Sequence, residues 1–197
     1  TIPVTNPFIP AALRTILASR PNPTAAFNWS ARYVGVPWKN WDENYQVQQY
    51  LAGLKGEIAE GWNFDVFASY DQSIHNQTMH DAVLKSQVQR LLNAADGGAS
   101  LCSGGFNPFG DANARSLSAA CLAFITKDAR SQEKLSQTQV QAQVNGKLFD
   151  LGAGPVQLAL VADYRRNTYE FSPDSDLVAT SGFAPGANIE GVVNTLP

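Results

Sequence analysis

Residues with a capacity for chemistry are few in this chain and widely spaced. His75 and His80 stand five positions apart and are the two histidines of the sequence. An imidazole pair binds a transition metal when carboxylates or thiolates complete the set, and no such cluster accompanies these two. They read as exposed histidines of a loop rather than as ligands. Ser103 and Ser116 have no histidine or acid placed to activate them, and no G-x-S-x-G elbow is present. The residues therefore point to no enzyme, no catalytic side chain and no cofactor. Asp163 and Arg165 fall on one side of an extended segment, where they suit a salt-bridged, space-filling role more than ligand contact. Trp38 and Trp41, in the polar turn PWKNWDE, can stack on a sugar or aromatic ligand, although anchoring at an interface suits them better. Cys102 and Cys121 lie in one Gly- and Ser-rich region and favour a disulfide over two buried thiols. Closing such a loop would stabilise by roughly 3 kcal/mol and needs an oxidising compartment.

Elements that would carry these residues follow from period. Gln137, Gln139, Gln141, Gln143, Asn145 and Lys147 alternate without a break with Thr138, Val140, Ala142, Val144, Gly146 and Leu148. Successive side chains of a strand point to opposite faces, so this segment makes a sheet with one amide-rich wet face and one apolar face. A water-filled barrel lumen suits the wet face as well as an ordinary protein surface does. Trp62, Phe64, Val66, Ala68 and Tyr70 share one parity, against Asn63, Asp65, Ser69 and Asp71, with Phe67 as the exception. The ends of that apolar run are roughly 25 Å apart, the height of a lipid-facing band with aromatic girdles. After the tight turn of LGAGP, Val156, Leu158, Leu160, Ala162 and Tyr164 oppose Gln157, Asp163, Arg165 and Asn167. The segment 45–57 is strand-like, but Tyr45, Val47 and Leu51 compete with Tyr50, Ala52 and Leu54 for the apolar side.

The pattern predicts strands at about 27–36, 45–57, 62–72, 134–149 and 156–171. Between the third and fourth lies a long loop, 73–133. Thr78 to Asp81 resembles a capping box ahead of Val83, Leu84, Val88, Leu91 and Leu92, which predicts a helix over about 79–94. A second short helix is expected over about 116–127. Asn6 to Ser19 reads as a helix with Pro10 in its first turn and Ala11, Leu13, Ile16 and Leu17 as its apolar side. Short connections alternate with a very long one, the asymmetry of an up-and-down membrane barrel.

Bulk composition is compatible with this. The chain has 197 residues, 44% hydrophobic and 16% charged, with a formal net charge of -3. Phosphate binding needs clustered Lys and Arg, so nucleic acid is not an expected partner. No apolar run approaches the ~20 residues of a membrane helix, and TIPVTNPFIP does not read as a signal peptide.

NPFIPAAL, YLAGLKGE followed by GWNFDVFASYD, LLNAADGG, CSGGFNPFG and VNGKLFDLGAGPVQLALVADYR occur in an order and spacing that resembles the barrel region of TonB-dependent outer-membrane receptors of Gram-negative bacteria. The resemblance covers nearly the whole chain, and the combination of CSGGFNPFG with the G-K-L-F-x-L-x-A-G-P-V turn is its most specific part. It implies an all-β fold: an antiparallel up-and-down meander, a partial segment of a large transmembrane β-barrel of 22 strands, with short helices in a long extracellular loop. It also implies the outer membrane as location and uptake of a scarce ligand of the siderophore, cobalamin or oligosaccharide class. Outer-membrane lipid and the TonB complex would be partners, the latter through a plug domain. Neither the plug nor the TonB-contacting segment is matched in these residues. On this reading Trp62, Phe64, Tyr70, Leu158, Leu160 and Tyr164 face lipid or its aromatic girdle, while Gln139, Gln141, Gln143, Asp163 and Arg165 face the lumen and a ligand path. The alternative is a soluble extracellular β domain for adhesion or carbohydrate binding, which would bury the apolar faces against a second layer.

Overall fold

The structure is a computed structural model and describes residues 1–30, 35–37, 40–109, 117–178 and 188–189. Its elements run α1 (Ala11–Ala18), β1 (Asn40–Ala59), β2 (Trp62–Val83), α2 (Lys85–Asn93), α3 (Ala119–Ile125), β3 (Thr126–Leu151), β4 (Gly154–Ser172) and a single 3-10 turn, Ser175–Leu177. The strands form one sheet in the order β1-β2-β3-β4, an antiparallel meander that does not close. Among the described residues no helix is long and apolar enough to cross a membrane. The chain divides into two compact units, one of Thr1–Asp42, Thr78–Arg130 and Pro173–Pro197, the other of Glu43–Gln77 and Ser131–Ser172.

The second unit is built from sheet alone. Partners directly opposite in an antiparallel ladder share a face, so the register of β3 on β4 assigns sides. Val140↔Tyr164, Ala142↔Ala162, Val144↔Leu160 and Gly146↔Leu158 lie on one face; Gln139↔Arg165, Gln141↔Asp163 and Gln143↔Val161 lie on the other. The indole of Trp62 covers Gly146 so closely that a Cβ there would run into the ring. That contact puts Trp62 on the apolar face, and by alternation Phe64, Val66, Ala68 and Tyr70 with it. Gly56 in turn sits beneath Phe64, where an added Cβ would meet the ring at 3.0 Å. The side of β1 that the sequence left open is thereby decided: Tyr50, Ala52, Leu54 and Ile58 join the apolar face. Phe67, the exception to the pattern, packs against Gly53 on the opposite side.

One parity expectation changes. The register shifts between Lys147 and Phe149, so Phe149 pairs with Val156 and Leu148 is the extra residue of a bulge. Phe149 therefore takes the place on the apolar face that the unbroken alternation assigned to Leu148. Both hairpins are tight: Glu60 and Gly61 join β1 to β2, with Gly61 at φ 74 donating its N–H to Glu57 Oε1 at 2.7 Å. Gly152 and Ala153 join β3 to β4.

The first unit has a conventional interior. Leu91, Phe106, Ile125 and the Cys102–Cys121 disulfide form one apolar cluster, Ile2, Ile9, Leu17 and Phe109 a second, and Met79, Ala82, Ala129, Leu177 and Ile189 a third. Asn6 is buried with its amide satisfied, donating to Leu92 O at 3.0 Å and accepting from Phe8 N at 3.1 Å. Ser118 caps α3: its hydroxyl accepts from Cys121 N at 3.1 Å and donates to Ser103 O at 2.5 Å, clamping both arms of the disulfide loop.

Several expected boundaries are corrected here. β2 continues to Val83, so 79–83 is strand, and α2 begins only at Lys85. Met79 and Ala82, within the stretch expected to be helical, are strand residues that pack with Ala129, Leu177 and Ile189. The loop of 73–133 contracts to 84–125, because β3 starts at Thr126. α3 is correspondingly shorter than 116–127, and Ser116 lies outside the described residues. α1 is shorter than 6–19, with Leu17 buried and Ile16 exposed. Of the expected strand 27–36, Phe27 forms only an isolated bridge to Ile2, and 31–34 lie outside the described residues. Among the described residues the sheet has four strands, each longer than expected.

Candidate functional site

The polar face of the sheet collects the side chains able to contact a ligand. Gln139 Nε2 donates to Asp163 Oδ2 at 2.8 Å, and Gln137 Nε2 donates to Asn167 Oδ1 at 2.8 Å. Asp163 is therefore held by an amide across the ladder. The expected Asp163–Arg165 salt bridge is not formed; Asp163 is taken by Gln139 instead. Beside these amides runs a groove of about 640 Å³ crossing all four strands, with Val47, Leu135 and Tyr169 as apolar patches among Gln49, Asp71 and Ser73.

Further along the same strands, His75 stacks on the Tyr45 ring at 4.1 Å between centroids and 2° between planes. Glu43 Oε2 stands 3.9 Å from its Nε2, and Glu133 Oε2 stands 3.7 Å from its Nδ1. Neither separation is a hydrogen bond. His75 Nε2 is shut off from solvent and has no hydrogen-bond partner, which leaves a buried polar atom uncompensated. Two carboxylates and an aromatic plate thus enclose the His75 ring. Among the described residues no three His, Cys, Asp or Glu side chains could hold a metal ion.

His80 behaves differently, and it too is a strand residue rather than a loop histidine. Its Nε2 meets Asp42 Oδ2 at 2.9 Å and its Nδ1 meets Asp128 Oδ2 at 3.1 Å. The Asp42 hydrogen bond, then that of Asp128, raises its pKa above the ordinary histidine value. It lies ten residues beyond Tyr70, outside the apolar band. An imidazole between two carboxylates ties β1, β2 and β3 together, which is structural work. In the same unit, Lys127 Nζ bonds Asp174 at 2.9 Å and Asp176 at 2.6 Å. Burial pushes Asp174 up, but the Lys127 ammonium and the Asp176 N–H outweigh it and hold its pKa low; Asp176 is lowered by Asn188 and Lys127.

Sequence period alone could group Gln139, Gln141, Gln143, Asp163 and Arg165, and these do share a face. Tyr45, Glu43 and Glu133 could not be found that way, because they meet His75 only through strand pairing. Trp41 is exposed, and Trp38 lies outside the described residues. Trp29 is used for packing: it tilts against Phe109 at 5.1 Å and donates from Nε1 to Pro108 O at 3.1 Å.

No protein-family model, curated protein or solved structure matches this chain.

Proposed function

We propose that this chain is part of the wall of an outer-membrane TonB-dependent receptor, taking up a scarce ligand of the siderophore, cobalamin or oligosaccharide class. One observation carries the reading: large apolar side chains line one face of all four strands and stay exposed, Leu54 at 76%, Leu160 at 59% and Tyr164 at 60%, while the other face mixes amides and charged groups with Val47, Leu51, Leu135, Val161 and Tyr169. A soluble sheet buries such a face. Lipid is the solvent that removes the cost of leaving it open. Strand length supports the same reading, because even β4, with 19 residues, reaches about 60 Å, twice a bilayer's hydrocarbon thickness. Four strands cannot close a cylinder, so the proposal includes further strands, a plug and contact with the TonB complex beyond these residues. The polar face would then line the lumen, and its groove would lie along the ligand path.

The test is depth-resolved quenching. Trp62 emission from the chain reconstituted in phosphatidylcholine vesicles should be quenched by lipids brominated along the acyl chain, and Trp62→Phe should remove that component. A chain that stays a compact monomer without detergent, with Leu158 and Leu160 amides protected from exchange, would favour the soluble adhesion or carbohydrate-binding domain instead.

A further inference from the structure

Beyond the apolar band, the same outward face changes character within one pair of residues. Following Val140↔Tyr164 come Thr138↔Arg166, Ser136↔Thr168 and Lys134↔Glu170. Each pair lies on the face of Val144 and Leu160, because the ladder keeps its parity over this stretch. These residues, with Tyr70, line a recess of about 420 Å³. Gln72 Nε2 donates to Tyr70 Oη at 2.8 Å and to Ser136 Oγ at 3.4 Å, which fixes two of the hydroxyls on its rim. Neither Lys134 nor Arg166 forms an ion pair with a described residue, although Glu170 lies directly across the ladder from Lys134.

From this arrangement we infer that the recess binds the phosphate of a lipid headgroup. Arg166 offers a planar fork of N–H donors and Lys134 an ammonium, the pair of cations best suited to a phosphate oxygen cluster. Ser136, Thr138 and Thr168 supply neutral hydroxyl donors around it. Position selects a lipid over a free anion. The recess opens on the side that carries the apolar band: Arg166 stands about 7 Å and Lys134 about 20 Å beyond the Tyr164 level, so it begins where headgroups begin. It lies toward the end of the sheet bearing the long connection, so the lipid belongs to the leaflet on that side. Glu170 limits the net charge to one positive unit, which favours a single phosphate over a polyanion.

The inference rests on the membrane reading, and the experiment separates the two. The whole chain is first floated with phosphatidylcholine vesicles. It is then held in neutral detergent, and retention of phosphatidic acid, of diacylglycerol with the same acyl chains, and of inorganic phosphate is measured by native mass spectrometry. Phosphatidic acid should be retained as a one-to-one adduct in preference to diacylglycerol, and millimolar phosphate should not displace it. Lys134→Gln with Arg166→Gln should weaken retention by about thirtyfold, the effect expected of two charges at a membrane surface. Lys134→Arg with Arg166→Lys should preserve it, and Glu170→Gln should strengthen it by about fivefold on the same scale. Equal retention of the two lipids, or no response to the double glutamine variant, would overturn the inference while leaving a floating chain in the membrane. Binding of phosphate with an inert lipid arm would assign the recess to a free anion and overturn it too. A chain that fails to float would remove the membrane reading and this inference together.

Discussion

The two units of this protein dispose of their apolar side chains in opposite ways. In the first, Leu91, Cys121, Ile125 and Ala82 are almost wholly removed from solvent, and every buried apolar residue among those described belongs to it. In the second, Leu54, Val66, Leu160 and Tyr164 stay open along strands with no apolar core of their own. Hydrophobic burial drives folding in the first unit at roughly 25 cal/mol per Å². The sheet lacks that contribution and relies on its ladder, its cross-strand pairs and whatever bathes its apolar face. The chain thus contains one part with an apolar interior and one whose apolar side chains stay exposed.

The sharpest way to break this contrast is to reverse polarity at one site on each face of the sheet. Leu160→Arg should cost about 2–4 kcal/mol in lipid vesicles, the value for a cation facing hydrocarbon at mid-depth, whereas Gln143→Lys on the other face should be close to neutral. Urea titrations of the vesicle-bound chain would read both, and equal effects would erase the distinction between the faces. In the first unit, Leu91→Ala should cost about 3 kcal/mol through cavity formation, and removing the disulfide with Cys102→Ala and Cys121→Ala a similar amount. Amide exchange should show that loss over 85–130, with protection of the β3–β4 ladder unchanged. Ser118→Ala removes the α3 cap and should cost about 1 kcal/mol, visible as faster exchange at Cys121 N.

The smallest effect concerns pH. His80 has a raised pKa, so its stabilisation is complete below the ordinary histidine value of about 6.5 and is lost as pH rises through the folded value. Asp174 and Asp176 have lowered values, so their contribution is present above about 3.9 and disappears as pH falls through the folded values. An NMR titration of the two histidines should find His80 titrating above 6.5, and Asp42→Asn should bring it down. The first unit should keep its stability on mild acidification and lose the small Asp174 and Asp176 contribution as pH falls below about 4, which thermal melts across that range would read.

Much of the sheet was legible because period-two alternation is a local signal. Val140, Val144, Leu158, Leu160, Trp62 and Phe64 announce a face without knowledge of their partners, and the ladder places them together. Signals that depend on pairing were not legible. Tyr45, Val47 and Leu51 balance Tyr50, Ala52 and Leu54, and only Phe64 over Gly56 breaks the tie. The bulge at Leu148 carries no mark in the alternation. Val83, Leu84, Val88, Leu91 and Leu92 imitate a helical stripe across a real junction, where β2 ends and α2 begins. The His75 site draws on Glu43, Tyr45 and Glu133 from three strands, and no spacing within one segment encodes that meeting. The cysteine pair was readable from its surroundings, and the structure joins it at a Cα separation of 5.0 Å.

Connection length has a consequence for the order in which the molecule assembles. β1 with β2, and β3 with β4, are each joined through two residues and can zip within microseconds of one another's turns forming. The seam between β2 and β3 has to close a span of about forty residues, which slows its encounter. That span is folded: Leu84 N–H reaches Ile125 O at 2.8 Å, and Cys102 and Cys121 shorten the path between them. The segment between the hairpins therefore serves as a clasp, and oxidising it before the hairpins meet would speed nucleation of the central seam.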